Sequence, residues 1–520
     1  MGYNPVLLEI FKNKFSSVAE EMGMVLNRTA FSVNIKERRD YSCAIFAKNS
    51  DMIAQAAHIP VHLGSMPLSV RAAVNSIEME EGDMVMLNDP FCGGTHLPDI
   101  TLVAPFYFNS DKPFLYVANR AHHSDVGGMS PASMPLSTSI FQEGIIVPPI
   151  KLVEKGKIDR KILSFFLSNV RTPIEREGDF TAQIMANITG LKRLKEIFEK
   201  YGEDKVLLYS DEIIKYTGRI TRKTIQSIPD GIYEFTDYMD DDGISDKPVK
   251  LNVEIKIKDS RMIIDFSESD TQVEGSVNAV RAITLSACLY VLRCLMPEGT
   301  PTNAGILKNI KVVTKRGTIV DAEFPAAVAG GNVETSQRIV DVLLGAFSKA
   351  LPEKIPAASQ GTMNNITIGG VDKKSGASFA YYETIGGGMG ASAQNDGADA
   401  VHSHMTNTLN TPVEALEYSY PFFVTEYSIR ANSGGKGKFS GGKGMVREIK
   451  VLCDVNVTVL SERRKFSPYG LFGGDKGCSG KNVVIRKNGK IEEKRGKFSC
   501  NLKSGDTLRI ETPGGGGYGE

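Results

Sequence analysis

Apolar residues recur at intervals of three and four near the start of the chain and predict a long amphipathic helix. Asn4 and Pro5 supply an N-cap and a first helical position, and one apolar face then continues for about six turns. Beyond residue 40 the pattern changes to short apolar runs typical of strands, such as "YSCAIFA" from Tyr41 and "MVML" from Met84. The N-terminal part therefore combines helix and strand.

Two further changes of pattern divide the chain. Alternating, strand-like segments begin near Gly231, and the run "AITLSACLYVL" that follows them predicts a buried helix. After Pro325 the chain becomes rich in glycine and again alternates like strands. We expect an α+β, multi-domain fold, divided into a mixed domain with the candidate metal residues described below, a β-rich middle region with the buried helix, and a glycine-rich, largely β domain: residues 1–230, 231–325 and 326–520.

A second long helix is predicted behind Thr172. Thr172 and Glu175 have the spacing of a capping box, and Pro173 occupies the first helical position. Polar residues spaced by four along this helix are expected to form a solvated face: Glu175, Asp179, Gln183 and Asn187.

Composition and charge argue against several classes of protein. Lysine plus arginine equal aspartate plus glutamate at 61 each, so no net positive field attracts nucleic acid. The longest apolar run is shorter than the ~20 residues of a membrane span, and the N-terminus lacks both a signal-peptide core and a myristoylation motif. We expect a cytoplasmic protein. Its seven scattered cysteines contain no C-x-x-C pair and predict buried thiols.

Three of the seven histidines lie in one stretch, "GGTHLPDITLVAPFYFNSDKPFLYVANRAHHSDVGG". It predicts a hairpin of the strands "ITLVAPFYF" and "FLYVANRAH", joined by the loop "NSDKP". A turn centred on the loop places Asp99 opposite His123 and Ile100 opposite His122. His96 lies three residues before the first strand, so imidazoles and a carboxylate converge at one rim of the hairpin.

Imidazole and carboxylate together suit Zn, Mn or Fe and can leave one coordination position open. The same residue patterns, H-x-x-D at a strand start and "HHSD" near a loop, also occur where no metal binds. The spacing alone therefore leaves a metal site and a purely structural hairpin about equally favoured.

Two glycine-rich segments add further candidates. "GKFSGGKG" from Gly437 approaches a phosphate-binding loop, but Gly444 stands where serine or threonine should be and a strand-like segment follows, which disfavours ATP binding. His402 and His404 alternate behind the run "IGGGMGASAQNDGADA". They could line a substrate cleft, although packing histidines are more common.

Across nearly its whole length the chain resembles the B-subunit family of ATP-dependent hydantoinases and 5-oxoprolinases, which includes a subunit of acetone and acetophenone carboxylases. The motifs that carry the resemblance are "RRDYSCAIF", "NDPFCGGTHLPDI", "RAHHSDVGG", "GGNVETSQR", "GGGMGA", "HMTNTLNTPVEALE", "ERRKFSPYGLFGG" and "GDTLRIETPGGGGYG". Together these motifs are highly specific.

The resemblance implies one divalent metal ion, Zn or Mn, held by aspartate and histidine at the positions Asp40, His96, Asp99 and His122. The plain register favours His123 as the last ligand whereas the family pattern favours His122, which requires a local bulge in the hairpin. His123 or Asp125, beside the ligands, could transfer protons during the reaction.

The resemblance also implies a division of labour. A larger A-type ATPase subunit would use ATP to phosphorylate the carbonyl oxygen of a lactam or hydantoin, and this chain would open the ring at its metal site as part of a hetero-oligomer. The alternative function is the metal-binding subunit of a ketone carboxylase. A third alternative is a scaffold with a structural metal, which a closed four-ligand shell would favour.

Overall fold

The computed structural model describes residues 4–56 and 58–520, and its strands form four sheets packed with helices. Residues 1–3, part of the N-terminus for which no signal peptide is predicted, lie outside the described residues. The helices are α1 Pro5–Thr29, α2 Val33–Lys36, α3 Met66–Ser76, α4 Arg160–Leu167, α5 Pro173–Tyr201, α6 Glu203–Gln226, α7 Arg281–Leu295, α8 Ser336–Ala350 and α9 Val413–Ser419. The mixed α+β fold predicted from the sequence is confirmed.

The first sheet is antiparallel and has the strand order β2-β1-β5-β4-β3-β6-β7. Its strands are β1 Tyr41–Ala47, β2 Met52–Gln55, β3 Met84–Leu87, β4 Asp99–Phe106, β5 Leu115–His122, β6 Ile150–Glu154 and β7 Lys157–Ile158. Helices α1 and α5 cover one face and α3 the other, so β4 and β5 are buried along their whole length. The central hairpin is thereby held rigidly between two layers.

Helix α1 begins where the sequence predicts. The side chain of Asn4 accepts hydrogen bonds from the backbone N–H groups of Val6 and Leu7, which the helix itself leaves unpaired. The apolar face of α1 packs onto β1 and α5 through its buried residues Leu8, Phe11, Phe15, Val18, Met22 and Leu26.

Helix α5 begins at Pro173 as predicted, but its polar stripe is not a solvated face. The Thr172 side chain makes no capping hydrogen bond, so the predicted capping box is wrong. Asp179, Gln183 and Asn187 are fully buried, and only Glu175 is partly exposed. The Gln183 amide donates to the Ile100 carbonyl and the Asn187 amide donates to the Leu102 carbonyl. The stripe thus binds the backbone of the sheet.

The middle region forms a sheet of order β11-β10-β9-β8, against which α8 packs. Its strands are β8 Gly231–Met239, β9 Val249–Lys258, β10 Arg261–Asp265 and β11 Ile310–Val313. Helix α7 corresponds to the predicted buried helix and packs against α8. In front of α8 lies a single π-helical segment, Gly331–Thr335.

The C-terminal part is largely β, as predicted. Its strands are β12 Asn365–Val371, β13 Ser378–Glu383, β14 Phe422–Ile429, β15 Met445–Val451, β16 Val455–Leu460, β17 Lys481–Ile485, β18 Ile491–Lys494, β19 Lys497–Leu502 and β20 Thr507–Glu511. They form two sheets, of order β13-β12-β16-β19 and β14-β15-β20-β17-β18. The strand β15 follows "GKFSGGKG" directly, where a phosphate loop would lead into a helix.

The glycine-rich tail behind β20 is buried against other glycine loops. At Gly515 an added Cβ would lie 2.0 Å from the Met389 carbonyl oxygen, far inside van der Waals contact. The Gly515 N–H donates to the Gly442 carbonyl, and its own carbonyl accepts from Gly435. Backbone here packs directly on backbone, which only glycine allows.

The sheets follow the predicted domain ranges, but the apolar core does not. One cluster of buried residues extends from Leu8 to Leu460 and joins all three ranges. The boundaries at 230 and 325 therefore stay a prediction.

The cysteines are only partly buried, contrary to the prediction. Cys43, Cys288 and Cys453 are buried, whereas Cys92, Cys294 and Cys478 are exposed and Cys500 is intermediate. The spacing of the cysteines along the sequence does not tell which thiols face solvent. It therefore could not predict which of them are exposed. Over residues 4–56 and 58–520, no helix is both long and apolar enough to cross a membrane.

Candidate metal centre

Two histidines and an aspartate converge at one end of the β4–β5 hairpin. Asp99 is the first residue of β4, His122 is the last residue of β5, and His96 precedes β4 in a tight loop. His96 Nε2, Asp99 Oδ1 and His122 Nδ1 lie 3.2 Å from one another in each of the three pairs. All three side chains are at most 2% exposed.

The hairpin reaches this geometry without the expected bulge. Asp99 pairs directly with His122, and the register continues unbroken to Phe106 opposite Leu115. The predicted register, with Asp99 opposite His123, is wrong by one residue because the loop runs from Tyr107 to Phe114, so its centre falls just before Asp111, the centre of "NSDKP". A shift of one residue moves every side chain to the other face, so His122 joins Asp99.

The three donor atoms fit a divalent metal ion. Bonds of about 2.0–2.2 Å to imidazole nitrogen and carboxylate oxygen place neighbouring ligand atoms about 3.0–3.5 Å apart at tetrahedral or octahedral angles. The observed triangle has this size. Within the described residues no fourth His, Cys, Asp or Glu joins the set, so a bound ion would keep at least one position for another ligand.

Asp99 is held by a second layer of side chains. Thr95 Oγ1 donates to Asp99 Oδ2 at 2.5 Å, and His62 Nε2 lies 3.3 Å from the same oxygen. His62 is itself fixed by Ser42, whose Oγ lies 2.9 Å from His62 Nδ1. Burial alone would raise the pKa of Asp99, but His96, His62 and the hydrogen bond with His122 outweigh it and hold that pKa well below its usual value.

Sequence reasoning missed His62. It lies in "HIPVH" in a separate 3₁₀ turn, and no local spacing links it to Asp99. The available signal is the rarity of histidine, with seven in 520 residues, which makes each one a candidate.

A small cavity opens beside the donor triangle. The Tyr382 ring stacks on His122 with centroids 4.5 Å apart, and Asn332 Nδ2 lies 3.1 Å from His96 Nε2. The cavity has a volume of about 20 Å³ for the centre of a water molecule, which is room for about one water. A ring substrate therefore requires wall side chains to move outward, and the flexible Met363 and Met405 lie in that wall.

Asp40, the remaining predicted ligand, lies beside His122. The His122 N–H donates to the Asp40 carbonyl at 3.1 Å, so the start of β1 runs next to the end of β5. Asp40 lines the same cavity but stands outside the close set of three donors. Its role as a ligand stays a prediction.

The two predicted proton-transfer residues lie elsewhere. His123 lies on the opposite side of the hairpin from His122, 2.9 Å from Gln183 Oε1, and burial lowers its pKa to about 4. Asp125 accepts hydrogen bonds from the backbone and guanidinium of Arg171. Neither residue lines the cavity, so their positions do not support the predicted roles.

His402 and His404 also lie outside the triangle. His404 is buried, with Nδ1 3.4 Å from the Tyr290 hydroxyl, and His402 Nε2 lies 3.3 Å from Asn410 Oδ1. Both have the packing role that is more common for histidine.

The π-helical segment that carries Asn332 also carries a fully buried acid, Glu334. Its Oε1 accepts from the Met363 N–H and the Asn365 amide, but burial dominates and raises its pKa to about 8. Glu334 therefore keeps its proton in the folded chain at pH 7, whereas in the unfolded chain it loses the proton near pH 4.5.

Because the folded state binds this proton more tightly, the contribution of Glu334 to the free energy of unfolding falls as pH rises from about 4.5 to 8. Glu334→Gln removes this titration. We therefore expect the free energy of unfolding of the variant, relative to that of the wild type, to be on the order of 2–4 kcal/mol higher at pH 9 than at pH 5. Urea unfolding at both pH values measures the gain. The exposed control Glu493→Gln should show none, and a pH-independent difference for Glu334→Gln would contradict the assignment.

Comparison with solved structures shows that the chain has a known fold. The ATP-dependent caprolactamase of Pseudomonas jessenii superposes with a TM-score of 0.92 at 26% identity, over 100% of this chain and 92% of that one. An acetone carboxylase structure matches with a TM-score of 0.93 over 99% of this chain and 76% of that one. At 17% identity the second likeness shows the fold alone.

Comparison of sequences gives the family. A protein of Methanocaldococcus jannaschii is 43% identical over 99% of this chain and 90% of its own length. The 5-oxoprolinases of Dictyostelium discoideum and Arabidopsis thaliana are 41% and 39% identical, and the chain spans about two fifths of their length. The family model for hydantoinase B/oxoprolinase matches residues 4–520. The chain therefore belongs to the hydantoinase B/oxoprolinase family.

Proposed function

We propose that this chain is the ring-opening subunit of an ATP-dependent hydrolase of cyclic amides, of the 5-oxoprolinase or hydantoinase type. The observation that carries the proposal is the buried triangle of His96, Asp99 and His122 beside a cavity. Its membership of the hydantoinase B/oxoprolinase family and its likeness to a caprolactamase support a lactam or hydantoin as substrate.

The lengths of the relatives and the chemistry of amides both support a partner subunit. The 5-oxoprolinases that match this chain devote well over half of their length to other sequence. An unactivated amide resists water, and the present chain shows no phosphate loop at "GKFSGGKG". We propose that an A-type ATPase subunit supplies this activation by transferring the γ-phosphoryl group of ATP to the amide oxygen.

The reaction then needs two waters. The first adds to the phosphorylated imidate carbon, and the ring C–N bond breaks as its nitrogen takes a proton, which leaves an acyl phosphate. The second water splits the acyl phosphate into a carboxylate and inorganic phosphate. The sum is one cyclic amide, one ATP and two waters giving the open amino acid, ADP and phosphate.

The residues of the chain prepare this chemistry. A divalent ion, Zn or Mn, held by His96, Asp99 and His122 would supply Lewis acidity and make water more acidic. Thr95 orients Asp99 so that Oδ1 faces the histidines, and Tyr382 fixes the ring of His122.

The cavity itself sets the proton route and the access of water. His62 lines the cavity and can hold a proton at Nε2, so we assign the proton transfer to His62 in place of His123 or Asp125. The narrow cavity limits the number of waters beside the reacting carbon.

The test is co-expression of the chain with an A-type ATPase subunit. ADP formation and ring opening are then measured with 5-oxoproline and with hydantoin. We expect ATP-dependent ring opening that His96→Ala abolishes and that chelation removes until Zn or Mn is restored. Full activity in His96→Ala would contradict the proposed metal mechanism. ATP use that depends on a ketone and bicarbonate would instead establish the carboxylase function.

A further inference from the structure

A row of three threonine hydroxyls lines the same cavity as two members of the donor triangle. Thr384 Oγ1 lies 2.9 Å from Thr408 Oγ1, which lies 3.1 Å from Thr406 Oγ1. All three side chains are 2–3% exposed and line the same cavity as Asp99 and His122. Two of them belong to the motif "HMTNTLNTPVEALE", to which the sequence assigned no role.

A buried cation stands behind this row. Arg38 is fully buried, and its NH2 group donates to Thr384 Oγ1 at 2.6 Å and to Thr408 Oγ1 at 3.3 Å. Its NH1 group donates to the Tyr382 carbonyl at 3.1 Å. Among residues 4–56 and 58–520 no carboxylate lies within ion-pair distance of Arg38. Its other contacts, the Asn34 side-chain oxygen and the Tyr382 ring 4.9 Å away, are also neutral. A buried charge whose partners are all neutral favours an anion nearby.

The three hydroxyls of the row share two hydrogen bonds, and Arg38 donates to two of their oxygens. Each hydroxyl has one proton to donate, so one proton remains at an end of the row, on Thr384 or on Thr406. The Thr408 N–H also points to Thr406 Oγ1 at 3.4 Å. Both end residues line the cavity. Polarised by the guanidinium, this proton is a donor for an anionic oxygen.

We propose that this threonine row, backed by Arg38, binds the phosphoryl group of the activated substrate while the donor triangle faces the carbon that is attacked. The inference rests on the proposed function, in which the phosphoryl group stays on the substrate until the ring has opened. The charges around the cavity support the proposal. The positive charge of Arg38 and a divalent ion together would exceed the negative charge of Asp40 and Asp99, which line this cavity. The tetrahedral oxyanion chemistry is shared by a substrate phosphoryl group and free phosphate.

The first experiment uses inorganic phosphate and Mn²⁺ with the full chain. We expect saturable paramagnetic relaxation of the ³¹P signal, and at least tenfold weaker phosphate binding in Thr406→Val and Thr384→Val at unchanged Mn²⁺ affinity. The matched control is Thr367→Val, a buried strand threonine that donates to the Thr458 carbonyl away from the cavity. It should bind phosphate like the wild type.

The outcomes separate the two proposals. Failure of the wild-type chain to bind Mn²⁺ overturns the proposed function, and the phosphoryl site falls with it. Normal Mn²⁺ binding with equal phosphate affinity in the wild type, Thr406→Val and Thr367→Val overturns the phosphoryl site alone.

The second experiment distinguishes a substrate phosphoryl group from free phosphate in the assembled enzyme. If the row holds the substrate, Thr406→Val lets the phosphorylated substrate dissociate before the ring opens. Water then attacks its phosphorus and returns the cyclic amide and inorganic phosphate, so the ratio of ADP formed to rings opened rises from about one to several. An unchanged ratio with weaker inhibition by added phosphate would assign the row to the released product and overturn its role in holding the substrate.

Discussion

Replacing His122 with glutamine is expected to remove the bound metal and to lower ring opening at least ~1000-fold. Loss of one imidazole leaves two donors, too few to hold an ion against water, and several kcal/mol of transition-state stabilisation disappear with the ion, at about 1.4 kcal/mol per factor of ten. Metal content after dialysis and the turnover of the co-expressed enzyme are the two measurements. The expected stoichiometry falls from about one ion per chain to nearly none.

The neighbouring residue provides the control for this variant. His123 lies next in sequence but contacts Gln183 and packs on Phe180, 4.7 Å between ring centroids. His123→Gln should lose stability yet keep about one ion per chain. Retention of the ion by His122→Gln, or its loss only in His123→Gln, would show that His122 is not a metal ligand.

The second large effect concerns stability. Arg447→Met is expected to destabilise the fold by about 3–5 kcal/mol, because it leaves the carboxylate of Glu383 buried without its cation. Arg447 Nε lies 3.0 Å from Glu383 Oε2, and both side chains are fully buried. Burial alone would lower the pKa of Arg447, but Glu383 outweighs it and holds that pKa above its usual value. Urea unfolding followed by circular dichroism gives the change directly.

Two further variants make this result specific. The double variant Glu383→Gln with Arg447→Met should recover part of the loss, since no buried charge then remains unpaired. Arg509→Met, whose three carboxylate partners lie at a partly exposed site, should cost only about 1 kcal/mol. A cost of less than 1 kcal/mol for Arg447→Met would contradict the prediction. Glu383 ends β13 next to Thr384, so the same variant tests what holds the threonine row in place.

The sequence predicts the two strands of the hairpin but not the register in which they pair. Alternating apolar residues locate β4 and β5, yet aromatic residues on both sides of the loop make its centre ambiguous, and one position decides between His122 and His123. Side-chain packing against α5 on one face and α3 on the other, both outside the hairpin in sequence, selects the register. Local pattern contains no information about that packing.

The burial of polar side chains is the other gap. Gln183 repeats with helical period like a solvated residue, but it lies inside because its amide donates to the buried Ile100 carbonyl and to the Asn119 side-chain oxygen on the sheet. His62 reaches Asp99 for the same kind of reason, through a fold that joins separate segments. Family resemblance supplied Asp40, which the structure places beside His122 but which no local spacing could have placed.

The position of β20 has a consequence for how the protein is made. Residues 507–511 lie between β15 and β17 in the interior of their sheet, and the glycine tail behind them packs into loops formed much earlier. Until the ribosome has extended the chain past residue 511, this sheet lacks an inner strand and has two unpaired edges open to other nascent chains. Pairing of β20 closes both edges, so we expect pausing of translation before residue 507 to increase aggregation.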